Sequence, residues 1–256
     1  MTTYSDHPIQ VPFFVGKLLS AYAQKCKRDF TEKEKKAVRR IFSDLNPQKD
    51  SIVENFDIIS DCYDDFVIFL GYQTPEKIVQ ELNQLVPLKQ CTEDMTLLDA
   101  GTGTGLLGEL IRSMGFKGRL IGVDISPKSI QYLQQNRTGI YDEAQVGDMT
   151  ALSHIKDAAA DVVASAGVIG LAPKESLDEL LRVTKPGGLL IYSLSKDHFD
   201  IDRSWEEKHR NFLMREVWQQ VEGYPKIYPY YGNELLRHSY FYLFIFKKGK
   251  LRFKIC

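Results

Sequence analysis

The chain has 256 residues, of which 43% are hydrophobic and 26% charged, a composition that excludes a disordered, collagen-like or fibrous protein. With 33 Lys and Arg against 34 Asp and Glu the net charge is −1, so composition alone makes no case for a nucleic-acid binder. Cys26, Cys62, Cys91 and Cys256 form no C-x-x-C pair and the five histidines no H-x3-H pair, so neither a disulfide framework nor a metal site is indicated.

The first residues lack the basic and apolar regions of a signal peptide, which gives the expectation of a cytoplasmic protein. The weakly polar runs Val162 to Ala172 and Tyr240 to Phe246 are too short to cross a membrane, and we read them as buried strands. Helical periodicity covers Thr31 to Phe42, Ile52 to Leu70 and Pro75 to Leu85, with Thr74 as the cap of the last and Pro75 in its first turn. Apolar surface there is too small for a separate domain, so residues 1–90 are expected to form a helical N-terminal cap on a second unit, residues 91–256.

From Pro87 onward β-rich runs alternate with helical stretches, as in a doubly wound, mostly parallel α/β sheet. Strands are expected at Met95 to Ala100, Arg119 to Val123, Glu143 to Val146, Asp161 to Ser165 and Leu189 to Leu194. Helices are expected at Leu106 to Met114, Pro127 to Asn136, capped by Ser126, and Lys174 to Arg182, with a short turn near Met149 to His154. A long amphipathic helix is expected over Asp202 to Glu222, stopped by Gly223. Lys226 to Tyr231 and Ser239 to Lys247 then read as an antiparallel pair closing the sheet, their tyrosines and phenylalanines filling core and sheet faces.

Chemistry concentrates in Leu97-Leu98-Asp99-Ala100-Gly101-Thr102-Gly103-Thr104-Gly105, a strand running into glycines and then a helix. Glycines let the backbone turn sharply and approach a ligand, and free N–H groups at the helix start favour its negative end. Gly103, Gly105 and Gly108 fit G-x-G-x-x-G and Asp124 lies 19 residues beyond Gly105, as in dinucleotide oxidoreductases. Asp99 argues otherwise: an acid ending the first strand repels a pyrophosphate and attracts an ammonium group. Asp148, beside Ile125 and Met149, is placed to accept from an exocyclic amine, and Lys185-Pro186-Gly187-Gly188 opens the fifth strand.

In order and spacing these motifs resemble class I S-adenosylmethionine-dependent methyltransferases, across roughly Met95 to Leu194. The resemblance implies a Rossmann-like seven-stranded sheet whose last strand is antiparallel, with S-adenosyl-L-methionine as cofactor. It places Gly101, Thr102 and Gly103 on the methionine part, Asp124 on both ribose hydroxyls, Ile125 on adenine, Asp148 and Met149 at the adenine edge, and Ser165 and Ala166 beside the reactive methyl. A narrower resemblance joins Asn55 to Asp65 and Gly71-Tyr72-Gln73-Thr74-Pro75-Glu76 to the methyltransferase-like proteins of the Williams-Beuren syndrome chromosomal region, whose pattern reads YDxWAxxYD and GYxxPE. It implies that Tyr63 approaches the methionine end and that Tyr72 sits near the pocket; Phe56 and Ile59 depart from the pattern.

Methyl transfer from a sulfonium needs alignment and water exclusion more than a base. His198, just beyond the fifth strand, is the best-placed residue if the acceptor needs one. Ser165-Ala166-Gly167-Val168 stands where related enzymes for amide and nucleobase amines carry Asn/Asp-Pro-Pro-Tyr/Phe, and no Asp-Asn pair follows, so a metal-independent enzyme for a small-molecule O or N acceptor is expected. The alternatives are a binding protein without turnover, or a protein or RNA substrate met by the basic segments Lys25 to Arg40 and Lys247 to Cys256. Those ends restore neutrality to a body, residues 41–246, that carries 19 basic and 30 acidic side chains.

Overall fold

A computed structural model describes residues 11–26, 28–43, 48–214 and 217–249. Five helices come first: α1 (Val11–Cys26), α2 (Glu32–Ser43), α3 (Lys49–Ile59), α4 (Tyr63–Leu70) and α5 (Thr74–Leu85). The alternating part follows as β1 (Thr96–Ala100), α6 (Leu106–Ser113), β2 (Arg119–Asp124), α7 (Pro127–Asn136), β3 (Glu143–Val146), β4 (Ala160–Ser165), α8 (Ser176–Val183) and β5 (Thr184–Ser195). Then come α9 (Lys196–Ile201), α10 (Ser204–Met214), β6 (Trp218–Gln220), β7 (Lys226–Pro229) and β8 (Tyr240–Lys248).

The sheet runs β3-β2-β1-β4-β5-β8-β6, a path of seven strands, and the short β7 lies as an eighth strand against β8. Strands β1 to β5 pair in parallel and β8 runs antiparallel to β5, as expected. Every residue of β1 is buried, because helices cover both faces of a doubly wound sheet and alternate side chains enter opposite cores. Leu98, Val163 and Tyr192 pack with α8 and α10 on one face, while Leu97, Val162 and Ile191 pack with α5 and α6 on the other. Among the described residues no helix is long and apolar enough to cross a membrane.

Four local expectations are corrected. The helix over 52–70 is broken: the Ser60 hydroxyl and the Cys62 thiol bond back to the carbonyls of Asp57 and Ile59, competing with the helical ladder. Thr74 is the first helical residue of α5 and Gln73 its cap, without a side-chain cap bond. The helix over 202–222 ends at Met214, because Trp218 is held between Phe212 and Phe246 and joins the sheet edge opposite Lys248. Gly223 therefore turns between strands, at φ +83°. Finally, an unexpected α1 builds a third buried cluster: its Val15, Leu18 and Tyr22 bury against Ala37 and Val38 of α2 and Phe66 of α4, with Tyr231 and Leu236 packed against them. Helix α2 opens with a capping box, Thr31 and Glu34 exchanging side-chain and backbone bonds. The basic tail from 250 onward, and Lys27, lie outside the described residues.

Candidate functional site

Sheet order sets the site out along one edge, since the acidic ends of β1 and β2 and the loops after β3 and β4 all open at the carboxyl ends of parallel strands. Between β1 and α6 the chain folds back so that the N–H groups of Gly101 and Thr102 donate to the Val123 carbonyl at 2.7 and 3.0 Å. Gly103, at φ +54°, turns its N–H to Asp124 Oδ2 at 2.8 Å, and a Cβ there would meet nothing within 4 Å. Asp124 Oδ1 accepts from Ser126 N at 2.8 Å, so one carboxylate pins both the glycine turn and the start of α7, where Ser126 is the N-cap.

Asp99 is fully buried, and its Oδ2 accepts from the hydroxyls of Thr102 at 2.9 Å and Tyr141 at 2.6 Å. Tyr141 is itself held by the N–H of Gly108 at 3.1 Å. Oδ1 has no hydrogen-bond partner among the described residues. Burial pushes the carboxyl up to about 6, against the two hydroxyls that lower it. Below that pH Asp99 is neutral in the free protein and offers a cation no opposite charge. Affinity for a ligand that places an ammonium on Asp99 is therefore expected to fall by up to about tenfold per unit as pH drops from 6, and Asp99→Asn to flatten the profile in calorimetric titrations. Stability of the free protein has the opposite sign, since a raised carboxyl costs stability as pH climbs from the unfolded value toward 6.

These groups line a cavity of about 250 Å³ whose other wall is the cap. At one end lie Ile125, Met149 and Asp148, the last accepting from Lys49 Nζ of α3 at 2.6 Å and from Thr150 N at 2.8 Å. Burial would raise the Asp148 carboxyl, but Lys49 and Thr150 together hold it below the usual range. Phe56 and Tyr63 come from the cap, Tyr72 from the turn into α5, and Ala166, Gly167 and Val168 from the loop after β4. Two cap acids dock on the site. Asp57 accepts from Ser126 Oγ and Lys128 N at 2.6 and 3.1 Å, and Asp64 holds Arg137 at 2.7 Å and the Thr104 hydroxyl.

Of the residues singled out in the sequence, the structure brings Tyr63, Asp99, Gly101, Thr102, Gly103, Asp124, Ile125, Asp148, Met149 and Ala166 to this cavity. Ser165 is not among its lining: buried, its hydroxyl donates to the Ala100 carbonyl at 2.7 Å and ties β4 to β1. His198 is not there either; it sits on α9 with its ring against Gly170. Residues that sequence reasoning missed are Tyr141, which reaches Asp99 across 42 residues, and Lys49, in a helix expected to start later. Neither belongs to a local pattern. The polar stretch Asp57 to Asp65 could have flagged the docking acids, since a cap facing solvent has no need of buried carboxylates.

A family profile described as a methyltransferase domain matches residues 91–237. The malonyl-[acyl-carrier protein] O-methyltransferase of Hahella chejuensis (strain KCTC 2396) is 29% identical over 161 residues, covering 61% of this chain and 54% of that protein. The protein of the same name from Yersinia pestis is 27% identical over 182 residues, covering 70% and 59%. The chain thus spans between half and three fifths of the length of these curated relatives. Among solved structures, the [4+2]-cyclase SpnF matches with a TM-score of 0.59 at 15% identity, over 80% of this chain and 98% of its own, a likeness of fold alone.

Proposed function

Because the chain belongs to the methyltransferase-domain family, we propose that it transfers a methyl group from S-adenosyl-L-methionine to a small-molecule O or N acceptor by direct displacement, without a metal. The observation that carries this reading is Asp99. A buried carboxylate on the cavity wall with one oxygen that finds no partner among the described residues is costly unless a cation completes it, and the cofactor's α-ammonium is such a cation. The rest of the lining fits the same molecule: Asp124 offers acceptors to vicinal hydroxyls, and Ile125 and Met149 offer apolar flanks to a flat base with Asp148 at its edge.

The cofactor supplies a methyl group already activated on a sulfonium. What remains for this chain is to hold it, orient an acceptor and exclude water. Gly101, Thr102 and Ala166 line the methionine side, while Phe56 and Tyr63 close the cleft from the cap. In this reading residues 1–90 serve the site as a cap and residues 91–256 form the cofactor-binding unit. The resemblance of residues 55–76 to the proteins of the Williams-Beuren syndrome region supports that arrangement. A [4+2]-cyclase shares the fold, so turnover has to be measured and not assumed from architecture.

Calorimetric titration with S-adenosylmethionine and S-adenosylhomocysteine tests the reading. Binding of both, followed by S-adenosylhomocysteine release on incubation with cell-extract metabolites, is the expected result. No binding of either sinks the proposal, and binding without release over prolonged incubation leaves a binding protein without turnover.

A further inference from the structure

Resting on that reading, we propose that Tyr141 is a positioning residue for the cofactor's ammonium: it locks the Asp99 carboxylate with Oδ1 left for the ligand and keeps it charged. Asp99 lines the cavity and Tyr141 does not, so any effect of the phenol on a ligand passes through the residues it bonds. The Gly108 N–H donates to the phenol oxygen at 3.1 Å, which occupies a lone pair on that side and leaves the O–H for Asp99 Oδ2 at 2.6 Å. Thr102 has one hydroxyl proton for two acceptors, Asp99 at 2.9 Å and Tyr141 at 2.6 Å, so Tyr141 is the steadier donor. With Oδ2 held in this way the carboxylate cannot turn. Oδ1, which has no partner among the described residues, is the oxygen that remains for a cation.

The backbone is cleared for this ring at two places. A Cβ on Gly108, within α6, would fall 2.2 Å from the Tyr141 hydroxyl, and one on Gly122, within β2, 2.9 Å from its ring. Glycine weakens the interior of a helix or a strand, and neither position has the positive φ that calls for it. Room for the phenol is what both glycines provide, and one of them is the last glycine of G-x-G-x-x-G. A plain core ring fills apolar space. This one carries its hydroxyl to the most deeply buried acid of the cavity wall.

Burial pushes the Asp99 carboxyl up to about 6, and the Tyr141 hydroxyl is the stronger of the two that pull against it. Burial, and then the neighbouring Asp99, push the phenol well up, so it remains a donor at neutral pH. Of the other groups around this strand end, Asp124 of β2 raises Asp99 further, and β4 brings the uncharged Ala164 into register with it. Asp64 of α4 and Glu109 of α6 are both on Arg137, and Glu81 of α5 is taken up by Tyr224, Tyr228 and Lys226. Tyr63 of the cap is raised by burial and stays neutral. Tyr141 is thus the chief group opposing the burial of Asp99.

The test measures, by calorimetry between pH 5.5 and 8, the affinity of wild type and Tyr141→Phe for S-adenosylhomocysteine and for 5′-methylthioadenosine, which keeps the adenosine and thioether and lacks the ammonium. Tyr141→Phe is expected to weaken S-adenosylhomocysteine about tenfold near pH 6 and by less at pH 8, where Asp99 is ionised in both proteins. Affinity for 5′-methylthioadenosine is expected to stay within about twofold, with no slope below pH 6. Gly108→Ala, whose methyl takes the place of the hydroxyl, is expected to repeat the Tyr141→Phe pattern. Equal weakening of both ligands makes Tyr141 a structural residue and overturns the proposal. An S-adenosylhomocysteine profile unchanged by Tyr141→Phe, or one without pH dependence in wild type, overturns it as well and leaves the cofactor reading standing. A wild-type protein that binds neither ligand overturns both.

Discussion

Replacing Asp124 by alanine is expected to weaken S-adenosylmethionine binding about a hundredfold, because two charge-assisted hydrogen bonds of about 1.5 kcal/mol or more are lost together. The carboxylate is the last residue of β2 and only 8% exposed, so what it can reach is fixed. One oxygen holds Gly103 N and the other Ser126 N, and each keeps a second lone pair for a hydroxyl of the ligand. Alanine therefore removes the ligand's acceptors and unpins the glycine turn at once. Asparagine is no milder: its amide must turn an NH2 toward one of two backbone donors, Gly103 N–H or Ser126 N–H, and lose that bond. Asp148→Ala makes the contrast, since that side chain is less deeply buried and already paired with Lys49; a loss of no more than about tenfold is expected there. Calorimetry on the three variants checks the order, and an Asp124→Ala affinity within a few-fold of wild type would remove this residue from the binding site.

Asp124 and the glycine turn were legible because a backbone that must fold back on a strand end needs glycines, and their free N–H groups need a carboxylate in reach. Strands β1, β2, β4 and β5 were legible for a related reason: lying inside the sheet with helices on both faces, their buried parts read as short apolar runs between helical stretches. What escaped was decided by distant partners. Helix α1 lies in a weakly patterned stretch and is stabilised by Phe30 and Phe66, beyond its own length. The helical stripe of 202–222 broke at Trp218 because Phe246, 28 residues later, offered a better home. Ser165 has the position of a ligand contact at the end of β4, but its hydroxyl has a nearer acceptor in the Ala100 carbonyl. His198 turned aside because α9 begins at Lys196 and carries the ring onto Gly170. Tyr141 had no local signature at all; its role exists only once β3 has brought it beside Asp99.

The cap should be tied to the sheet unit chiefly by Asp64, and Asp64→Ala is expected to destabilise the protein by about 3 kcal/mol. Asp64 lies at the start of α4, where its carboxylate meets Arg137 at 2.7 Å and the Thr104 hydroxyl, and both ionic side chains are about 10% exposed. Taking away one member of a buried pair leaves the other charge in place without its partner, which costs more than the pair was worth. Arg137 keeps Glu109 at 3.0 Å and the Thr104 carbonyl at 2.8 Å, so the cost belongs at the low end of the range for buried pairs. For a chain of this length it corresponds to a fall in Tm of roughly 6–12 °C. The double variant Asp64→Ala/Arg137→Leu separates this account from simple loss of packing: removing the stranded cation is expected to restore part of the stability, so the two substitutions do not add. Asp57→Ala, which frees only Ser126 and Lys128 at the start of α7, should cost about 1 kcal/mol, as an ordinary cap does. Cofactor affinity should fall in the same order, because Thr104 belongs to the turn that carries Gly103 and the cap acid that grips it also sets where that turn rests. If Asp64→Ala lowers Tm and leaves affinity untouched, the cap is a stabilising attachment and the glycine turn is set by Asp124 alone.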